Sequence, residues 1–167
     1  MGKKDSLIAN ASSDLPGPAT NVEQLIMKFK AKNLSEDDLV VLSGVYMIGL
    51  VRCFLFKKRI YNESDIVQPK FAQSKGSVLW WVGMTTCPPF HPTLFDNKYF
   101  IGLLQKQGLL HSDAAFLASN STMQKVIEYV NNQAKYFLYF SISVVKMGAI
   151  GVLTGENGVI LRNCHSV

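Results

Sequence analysis

Residues 38 to 49 decide the fold, and they read Asp38-Leu39-Val40-Val41-Leu42-Ser43-Gly44-Val45-Tyr46-Met47-Ile48-Gly49. The overlapping stretch Ser35-Glu36-Asp37-Asp38 has the form of a capping box, with carboxylates in the first turn of a helix, where they suit its dipole. We predict a helix through Leu39 to Leu42 that Ser43-Gly44 interrupts. The apolar run from Val45 to Phe56 is predicted to form a buried core helix, since a membrane span needs about 20 apolar residues.

Capping patterns and helical spacing predict further helices on both sides of this stretch. Thr20-Asn21-Val22-Glu23 has the capping-box form and starts an amphipathic helix after the loop that ends at Pro18. Asp96 is expected to cap another helix, which Gly108 stops. Ser121-Thr122 opens a third, separated by a short break from a last long helix that carries Phe137, Phe140, Val144 and Met147.

The remaining segments predict irregular structure. Residues 62 to 95 are rich in Asn, Ser, Gly and Pro and are expected to be mostly loop. The tail from Leu153 to Cys164 has glycines without a helical pattern and is expected to form a turn and an extended end. The uncharged stretch from Tyr136 to Val145 is too short to span a membrane. The predicted fold class is therefore mainly α, with long irregular connections.

Composition favours one domain over residues 1–167. Hydrophobic residues make up 48% of the 167-residue chain, charged residues 17%, and the mean hydropathy is +0.14, which excludes a disordered charged chain. The net charge of +5 is spread along the chain. The densest basic cluster, Lys57-Lys58-Arg59, is interpreted as a solvated helix end, so we assign no nucleic-acid role.

The cysteines do not indicate a metal site, and the targeting patterns disagree about secretion. Cys53, Cys87 and Cys164 are an odd number without zinc-site spacing, so at most one internal disulfide is possible. The N-terminus has no apolar segment typical of a secretory signal, although Gly2 and Ser6 match a myristoylation pattern. Four glycosylation sequons instead hint at secretion, and they begin at Asn10, Asn33, Asn62 and Asn120.

The stretch quoted first resembles the proximal-haem motif of plant secretory (class III) haem peroxidases, DLVALSGAHTIG. Gly2-Lys3-Lys4-Asp5-Ser6 resembles the family's GRRDS, which explains the apparent myristoylation signal. Other segments follow in family order: Arg52-Cys53, Arg59-Ile60-Tyr61-Asn62, Phe95-Asp96-Asn97-Lys98-Tyr99, Gly108-Leu109-Leu110-His111-Ser112-Asp113, Val145-Lys146-Met147-Gly148, Leu153-Thr154-Gly155 and Arg162-Asn163-Cys164. The resemblance implies the C-terminal, proximal half of the plant-peroxidase helical fold, with haem b as cofactor and hydrogen peroxide and small phenols as substrates.

At the haem axial position that the resemblance implies, Tyr46 replaces the usual histidine, and Asp113 matches the proximal carboxylate. Tyrosinate ligates ferric haem in catalase, so Tyr46 is either a ligand or a phenol that fills part of a vacant pocket. A carboxylate beside a phenol keeps the phenol protonated, which weighs against ligation.

The family's proximal calcium site is degraded by the same comparison. Met47 replaces a threonine, His91 is a poor substitute for another, and Asp96 and the carbonyl of Leu94 remain, so we expect calcium binding to be lost. Cys53 and Cys87 match a family disulfide, and Cys164 matches a cysteine with a partner outside this chain. Pro16 corresponds to a proline at the mouth of the aromatic-substrate channel.

The distal motif that supplies the family's acid-base histidine and peroxide-polarising arginine is not found in the sequence, so no catalytic residue is assigned. We expect a weak or inactive peroxidase. The alternative is a non-catalytic peroxidase-like protein that binds haem poorly or acts through protein contacts on an exposed apolar face. The family implies an extracellular location, with no signal peptide in this chain and no membrane span.

Overall fold

A computed structural model describes residues 3–6, 15–17, 19–49, 51–52, 55, 86–87 and 93–163. This part of the chain is mainly helical, as predicted. Two short antiparallel strands accompany the helices, β1 (Val51–Arg52) and β2 (Thr86–Cys87), with Val51 opposite Cys87. The α-helices are α1 (Val22–Lys30), α2 (Glu36–Ser43), α3 (Lys98–Leu104), α4 (His111–Ala115), α5 (Asn120–Asn131) and α6 (Gln133–Met147).

Helix α1 begins one residue later than the capping pattern predicted. Its N-cap is Asn21 rather than Thr20, and the Asn21 side chain accepts a hydrogen bond from the Gln24 backbone nitrogen at 2.9 Å. Asn21 has the extended backbone that an N-cap requires, and asparagine is among the residues that cap best. Val22 and Leu25 are buried, so the predicted apolar face of this helix does face the core.

Helix α2 begins with the predicted capping box. Ser35 Oγ accepts from the Asp38 backbone nitrogen at 3.1 Å, while Asp38 Oδ2 accepts from the Ser35 nitrogen at 2.8 Å. The helix ends at Ser43, as expected. Its residues Leu39, Val40 and Val41 are at most 1% exposed, so α2 runs through the centre of the core.

The prediction of a buried helix from Val45 to Phe56 is wrong for the residues that the structure describes. Gly44–Met47 form a 3-10 turn, Gly49 takes a φ of +101°, and β1 follows. A φ of that sign suits glycine and ends a helical path. As a result Tyr46 is 53% exposed instead of buried.

Helix α3 begins at Lys98 with Asn97 as its N-cap, one residue after the predicted cap Asp96, and it ends earlier than predicted. Asp96 Oδ1 accepts from the Lys98 backbone nitrogen at 2.8 Å, which satisfies one free donor of the first turn. The helix ends at Leu104, not at Gly108, because the chain turns through Lys106 with a φ of +57°.

Helices α5 and α6 follow each other with only Asn132 between them, which confirms the short break. Helix α5 starts at Asn120, one residue before the predicted start. An aromatic cluster joins them to α3, and Phe100 and Tyr136 pack edge to face with ring centroids 4.9 Å apart. The prediction did not include the short helix α4, which carries Asp113.

The tail forms a turn and an extended end, as predicted, and pairs with the N-terminal residues. The Lys4 backbone nitrogen donates to the Leu153 oxygen at 2.9 Å, and Asp5 and Val159 exchange two backbone hydrogen bonds. Gly158 fits this contact closely, since a Cβ there would lie 2.8 Å from the Lys4 Cβ. Backbone hydrogen bonds therefore join the N-terminal residues to the C-terminal tail.

Candidate functional site

A cavity of about 620 Å³ opens between α1, α2, the 3-10 turn and α4. Residues of all four elements contribute to its wall, among them Leu25 of α1, Leu39 of α2, Val45 of the 3-10 turn and Ser112 of α4. Cavities of this size and character bind cofactors and other small molecules. Its lining is mostly apolar and includes Pro16, Leu25, Phe29, Leu34, Leu39, Leu42, Leu110, Phe116, Met147 and Ile150.

Tyr46 brings a phenol to this cavity from the 3-10 turn. Partial burial of the ring and the negative charge of Asp113 both raise the pKa of Tyr46 above its ordinary value. The hydroxyl therefore keeps its proton at neutral pH. Because ferric iron has to displace this proton to bind the oxygen, a raised pKa weakens tyrosinate ligation.

Asp113 lines the same cavity from α4 and is only 5% exposed. Its Oδ1 accepts a hydrogen bond from the Tyr99 hydroxyl at 2.9 Å, and its Oδ2 accepts one from the Leu110 backbone nitrogen at 2.9 Å. Each carboxylate oxygen thus has a donor that fixes its direction. The carboxylate is held rigidly at the cavity wall, where its charge acts on Tyr46.

Tyr99 is the partner of Asp113 that the sequence did not reveal. It lies on α3, 1% exposed, and burial together with the Asp113 carboxylate raises its pKa well above the ordinary value. Tyr99 therefore stays a neutral donor. The pairing joins residues 14 positions apart on two helices, and the sequence has no periodic signal for such a contact.

Two lysines place positive charge in the lining of the cavity. Lys28 and Lys32 come from α1 and the turn after it, and the Lys28 ammonium donates to the Leu15 carbonyl at 2.9 Å. This bond holds the segment that carries Pro16 against α1. The cavity therefore combines an apolar body with a cationic edge, a neutral phenol and a buried carboxylate.

Comparison with known proteins assigns this arrangement to a family. A family model described as "Peroxidase" matches residues 1–132. The chain belongs to the peroxidase family. The residues of the cavity up to Phe116 lie within the matched region.

Several plant peroxidases match this chain over its full length. The lignin-forming anionic peroxidase of Nicotiana sylvestris is 38% identical over 174 residues, which are 100% of this chain and 54% of the relative. Peroxidase 4 of Vitis vinifera is 38% identical over 175 residues, with the same coverage. The basic peroxidase of Zinnia elegans is 35% identical over 179 residues, 98% of this chain and 53% of the relative. The chain spans about half the length of these curated relatives, and the match is to their C-terminal half.

The other site residues expected of a peroxidase fall partly inside the described chain. Pro16 lines the cavity. Asp96 is 7% exposed, accepts from the Lys98 backbone nitrogen and lies 3.6 Å from the Lys98 ammonium, whereas Leu94 is 50% exposed. Within the described ranges, no three His, Cys, Asp or Glu side chains gather into a group that could hold a metal. The loss of calcium binding stays a prediction.

The cysteine predictions and two other residues fall largely outside the described part. Cys53, Cys164 and His91 lie outside the described residues, as does the Lys57-Lys58-Arg59 cluster. The side chains of Met47 and Cys87 lie outside them too, although Cys87 contributes its backbone to β2. The disulfide between Cys53 and Cys87 and the unpaired Cys164 remain predictions.

The cavity suits the apolar porphyrin ring of a haem, but its residues offer a poor ligand for the iron. Its size, apolar lining and cationic edge suit a flat molecule that carries carboxylates. At Tyr46, which the family resemblance places at the axial position, burial and the Asp113 charge raise the pKa and so disfavour an anionic oxygen. Among the described helices, none is long and apolar enough to cross a membrane.

Proposed function

We propose that this chain forms the proximal wall of a haem b pocket and that it supports only weak or no peroxidase turnover. The proposal rests on one observation, that Tyr46 rather than a histidine reaches the cavity beside Asp113. In the family, haem supplies the redox chemistry by which hydrogen peroxide oxidises phenolic donors. The residues of this chain decide how firmly such a group is held and how basic its axial ligand is.

Asp113 is suited to a histidine partner and poorly suited to a phenol. Beside a histidine, a carboxylate accepts the proton of the outer ring nitrogen and makes the metal-facing nitrogen a stronger ligand. A phenol has one oxygen only, so hydrogen bonding to the same carboxylate stabilises the neutral form. We infer that Tyr46 would line the cavity that holds the haem without forming a strong bond to its iron.

Apolar contacts would then provide most of the binding. Leu42, Phe116 and Ile150 line the cavity with aliphatic and aromatic surface, and the charges of Lys28 and Lys32 suit carboxylates. Binding of this kind would tolerate a weak axial ligand, and the chain would then contribute little to the reactivity of the iron. We extend the proposal to an extracellular location, because the plant class III peroxidases that the chain matches are secreted.

A non-catalytic role through protein contacts is the second candidate. It is favoured by the exposure of apolar side chains around the cavity: Leu15 is 67% exposed, Val45 47% and Met147 48%. Large exposed apolar patches mark interaction sites, although they also mark aggregation-prone surfaces.

The test is a haemin titration of the purified chain, followed by its Soret band, in parallel with Tyr46→Phe and Tyr46→His. We expect the parent and Tyr46→Phe to bind equally weakly, because neither offers an anionic oxygen. Tyr46→His should bind more tightly and give a histidine-ligated spectrum, since Asp113 is in place to orient the ring. Guaiacol oxidation by hydrogen peroxide should match free haemin in the parent.

Two results would overturn the proposal in whole or in part. A stoichiometric spectrum in the parent that shifts in Tyr46→Phe would establish tyrosinate ligation of the catalase type and overturn the proposal. Turnover well above free haemin in the parent would overturn the weak-turnover part even if the spectrum did not shift. If none of the three proteins binds haemin, the chain has no haem function and the protein-contact role remains.

A further inference from the structure

Two glycosylation sequons lie wholly within the described residues, and they differ in structural context. One is Asn33-Leu34-Ser35, between α1 and α2, and the other is Asn120-Ser121-Thr122, at the start of α5. Acceptor asparagines belong to surface loops of secreted proteins. The exposure and hydrogen bonding of each sequon therefore indicate which asparagine is the better candidate for glycosylation.

Asn33 occupies the turn that stops α1. Its φ is +59°, its backbone nitrogen donates to the Lys30 oxygen at 3.0 Å, and the Leu34 nitrogen donates to the Phe29 oxygen at 3.0 Å. This is the Schellman arrangement, with a left-handed residue followed by an apolar one that packs on the helix. Leu34 is 6% exposed, so the backbone is anchored while the Asn33 side chain is exposed.

The backbone does not by itself require asparagine at this position. Glycine adopts the left-handed conformation at less cost and is the usual residue there. Among the described residues, no hydrogen-bond partner holds the Asn33 side-chain amide. The amide therefore has no structural role that would compete with modification.

The sequon at Asn120 is less open. Asn120 is exposed but lies in the first turn of a helix, and Thr122 is fully buried with its hydroxyl donating to the Phe116 oxygen at 2.6 Å. Ser35, in contrast, is exposed, although its hydroxyl contacts Asp38 at 2.8 Å. Of the two sequons within the described residues, the Asn33 sequon alone keeps both its first and third residues at the surface.

We infer that Asn33 carries an N-linked glycan when this chain passes through the secretory pathway. The donor is a lipid-linked oligosaccharide diphosphate. A bond forms between the Asn33 amide nitrogen and the anomeric carbon of the first sugar, the bond from that carbon to the diphosphate oxygen breaks, and the amide loses one proton. The lipid diphosphate leaves, and no oxidation or reduction is involved.

The surface beside Asn33 has room for the first sugars. A groove of about 490 Å³ is lined by Ala31, Lys32, Asn33, Lys146, Ile150 and Gly151. A glycan there would lie against polar and small side chains at the ends of α1 and α6. The attachment point sits on the turn between α1 and α2, so no helix has to move to accommodate it.

The test is expression of the full chain behind a cleavable secretion signal in insect cells, with both the cellular and the secreted pools collected. Peptide-N-glycosidase release in heavy-oxygen water converts each glycosylated asparagine to a labelled aspartate that mass spectrometry locates. We expect the label at Asn33 in the parent and in Ser35→Thr, which keeps the sequon and the helix cap. Asn33→Gly should lose that glycan while keeping the helix stop.

The controls separate modification from folding. Asn33→Gly preserves the left-handed turn, so loss of the glycan without loss of the helical circular dichroism signal supports the assignment. An unlabelled Asn33 in both pools of the parent overturns it, whether or not the peptides with Asn120, Asn10 or Asn62 are labelled. This outcome is independent of haem binding, so the proposed function can stand or fall separately.

Discussion

Two buried carboxylates, Asp38 on α2 and Asp113 on α4, expose only 3% and 5% of their surface. Each is the third residue of its helix and accepts a hydrogen bond from the backbone nitrogen three positions earlier, at Ser35 and Leu110. Their other neighbours differ. Asp38 contacts a cation and one hydroxyl donor from another helix, whereas Asp113 lies near two phenols at the wall of a cavity.

The neighbours of Asp38 stabilise its charge. Ser143 Oγ donates to its Oδ1 at 2.6 Å, and the Lys146 ammonium lies 3.0 Å from both oxygens. Burial alone would raise the pKa of Asp38, but hydrogen bonds from Ser143, Ser35 and Lys146 outweigh it and lower the pKa to about 2. The result is a charged link between α2 and α6.

The neighbours of Asp113 are changed by its charge instead. It raises the pKa of both Tyr99 and Tyr46, in addition to the effect of their burial. The same local motif therefore links two helices at Asp38, whereas at Asp113 it places a negative charge that raises the pKa of two tyrosines beside a cavity. The difference lies in whether the facing element supplies a cation or a phenol.

Removing the charge of Asp38 should have the largest effect. Asp38→Asn leaves the Lys146 ammonium without its counter-charge and replaces one of the two acceptor oxygens with an amide group, so the capping box and the bonds to α6 cannot both be kept. We expect a loss of about 3 kcal/mol in the free energy of unfolding. Urea denaturation followed by circular dichroism measures this. The matched control is Asp37→Asn on the same turn, because Asp37 makes only a partly exposed pair with Lys125 at 3.3 Å, worth about 0.5 kcal/mol. Equal losses in the two variants would contradict the comparison.

Substitution of Gly44 should have the next largest effect on stability, because this residue is closely packed. A Cβ at Gly44 would lie 2.5 Å from the Tyr136 hydroxyl oxygen and 3.0 Å from a ring carbon of Phe100, so we expect Gly44→Ala to cost about 2 kcal/mol. Gly17→Ala is the control, since its Cβ would meet only the Thr20 hydroxyl at 3.6 Å.

A double variant tests the cause of that loss. The Tyr136 hydroxyl is buried and has no hydrogen-bond partner in the described part of the chain, so Tyr136→Phe alone should be neutral or slightly stabilising. Combined with Gly44→Ala it should recover part of the lost stability, because it removes the nearest clashing atom. Full additivity of the two changes in urea denaturation would contradict the packing explanation.

The contribution of Asp38 should also depend on pH. Its folded pKa of about 2 lies below the unfolded value of 3.8, so its stabilisation is complete above the unfolded value and is lost as pH falls through the folded one. The shift corresponds to about 2 kcal/mol. The difference in unfolding free energy between the parent and Asp38→Asn should therefore shrink over that acidic window. A difference that stays constant down to about pH 2 would contradict the assigned pKa.

The sequence predicted the elements whose signals are local. The capping box at Ser35 and Asp38 and the break between α5 and α6 depend on neighbouring residues, and they were predicted correctly. The helix expected after Val45 was wrong, because apolar composition does not distinguish a core helix from a turn and strand, and Gly49 decided the outcome. The Tyr99–Asp113 bond and the Lys146–Asp38 pair join distant positions, so no local pattern could predict them.

The smallest expected effect is on the ionisation of Tyr46. Asp113→Asn removes the charge that raises the pKa of Tyr46 but leaves the burial that also raises it, so the pKa should fall while staying above the ordinary value. The ultraviolet absorbance of the phenolate against pH measures this, and subtracting the same titration in a Tyr46→Phe background isolates Tyr46 from the other five tyrosines. Asp37→Asn serves as a charge-matched control on α2. An unchanged pKa in Asp113→Asn would mean that burial alone keeps Tyr46 protonated, and Asp113 would then have no part in weakening tyrosinate ligation.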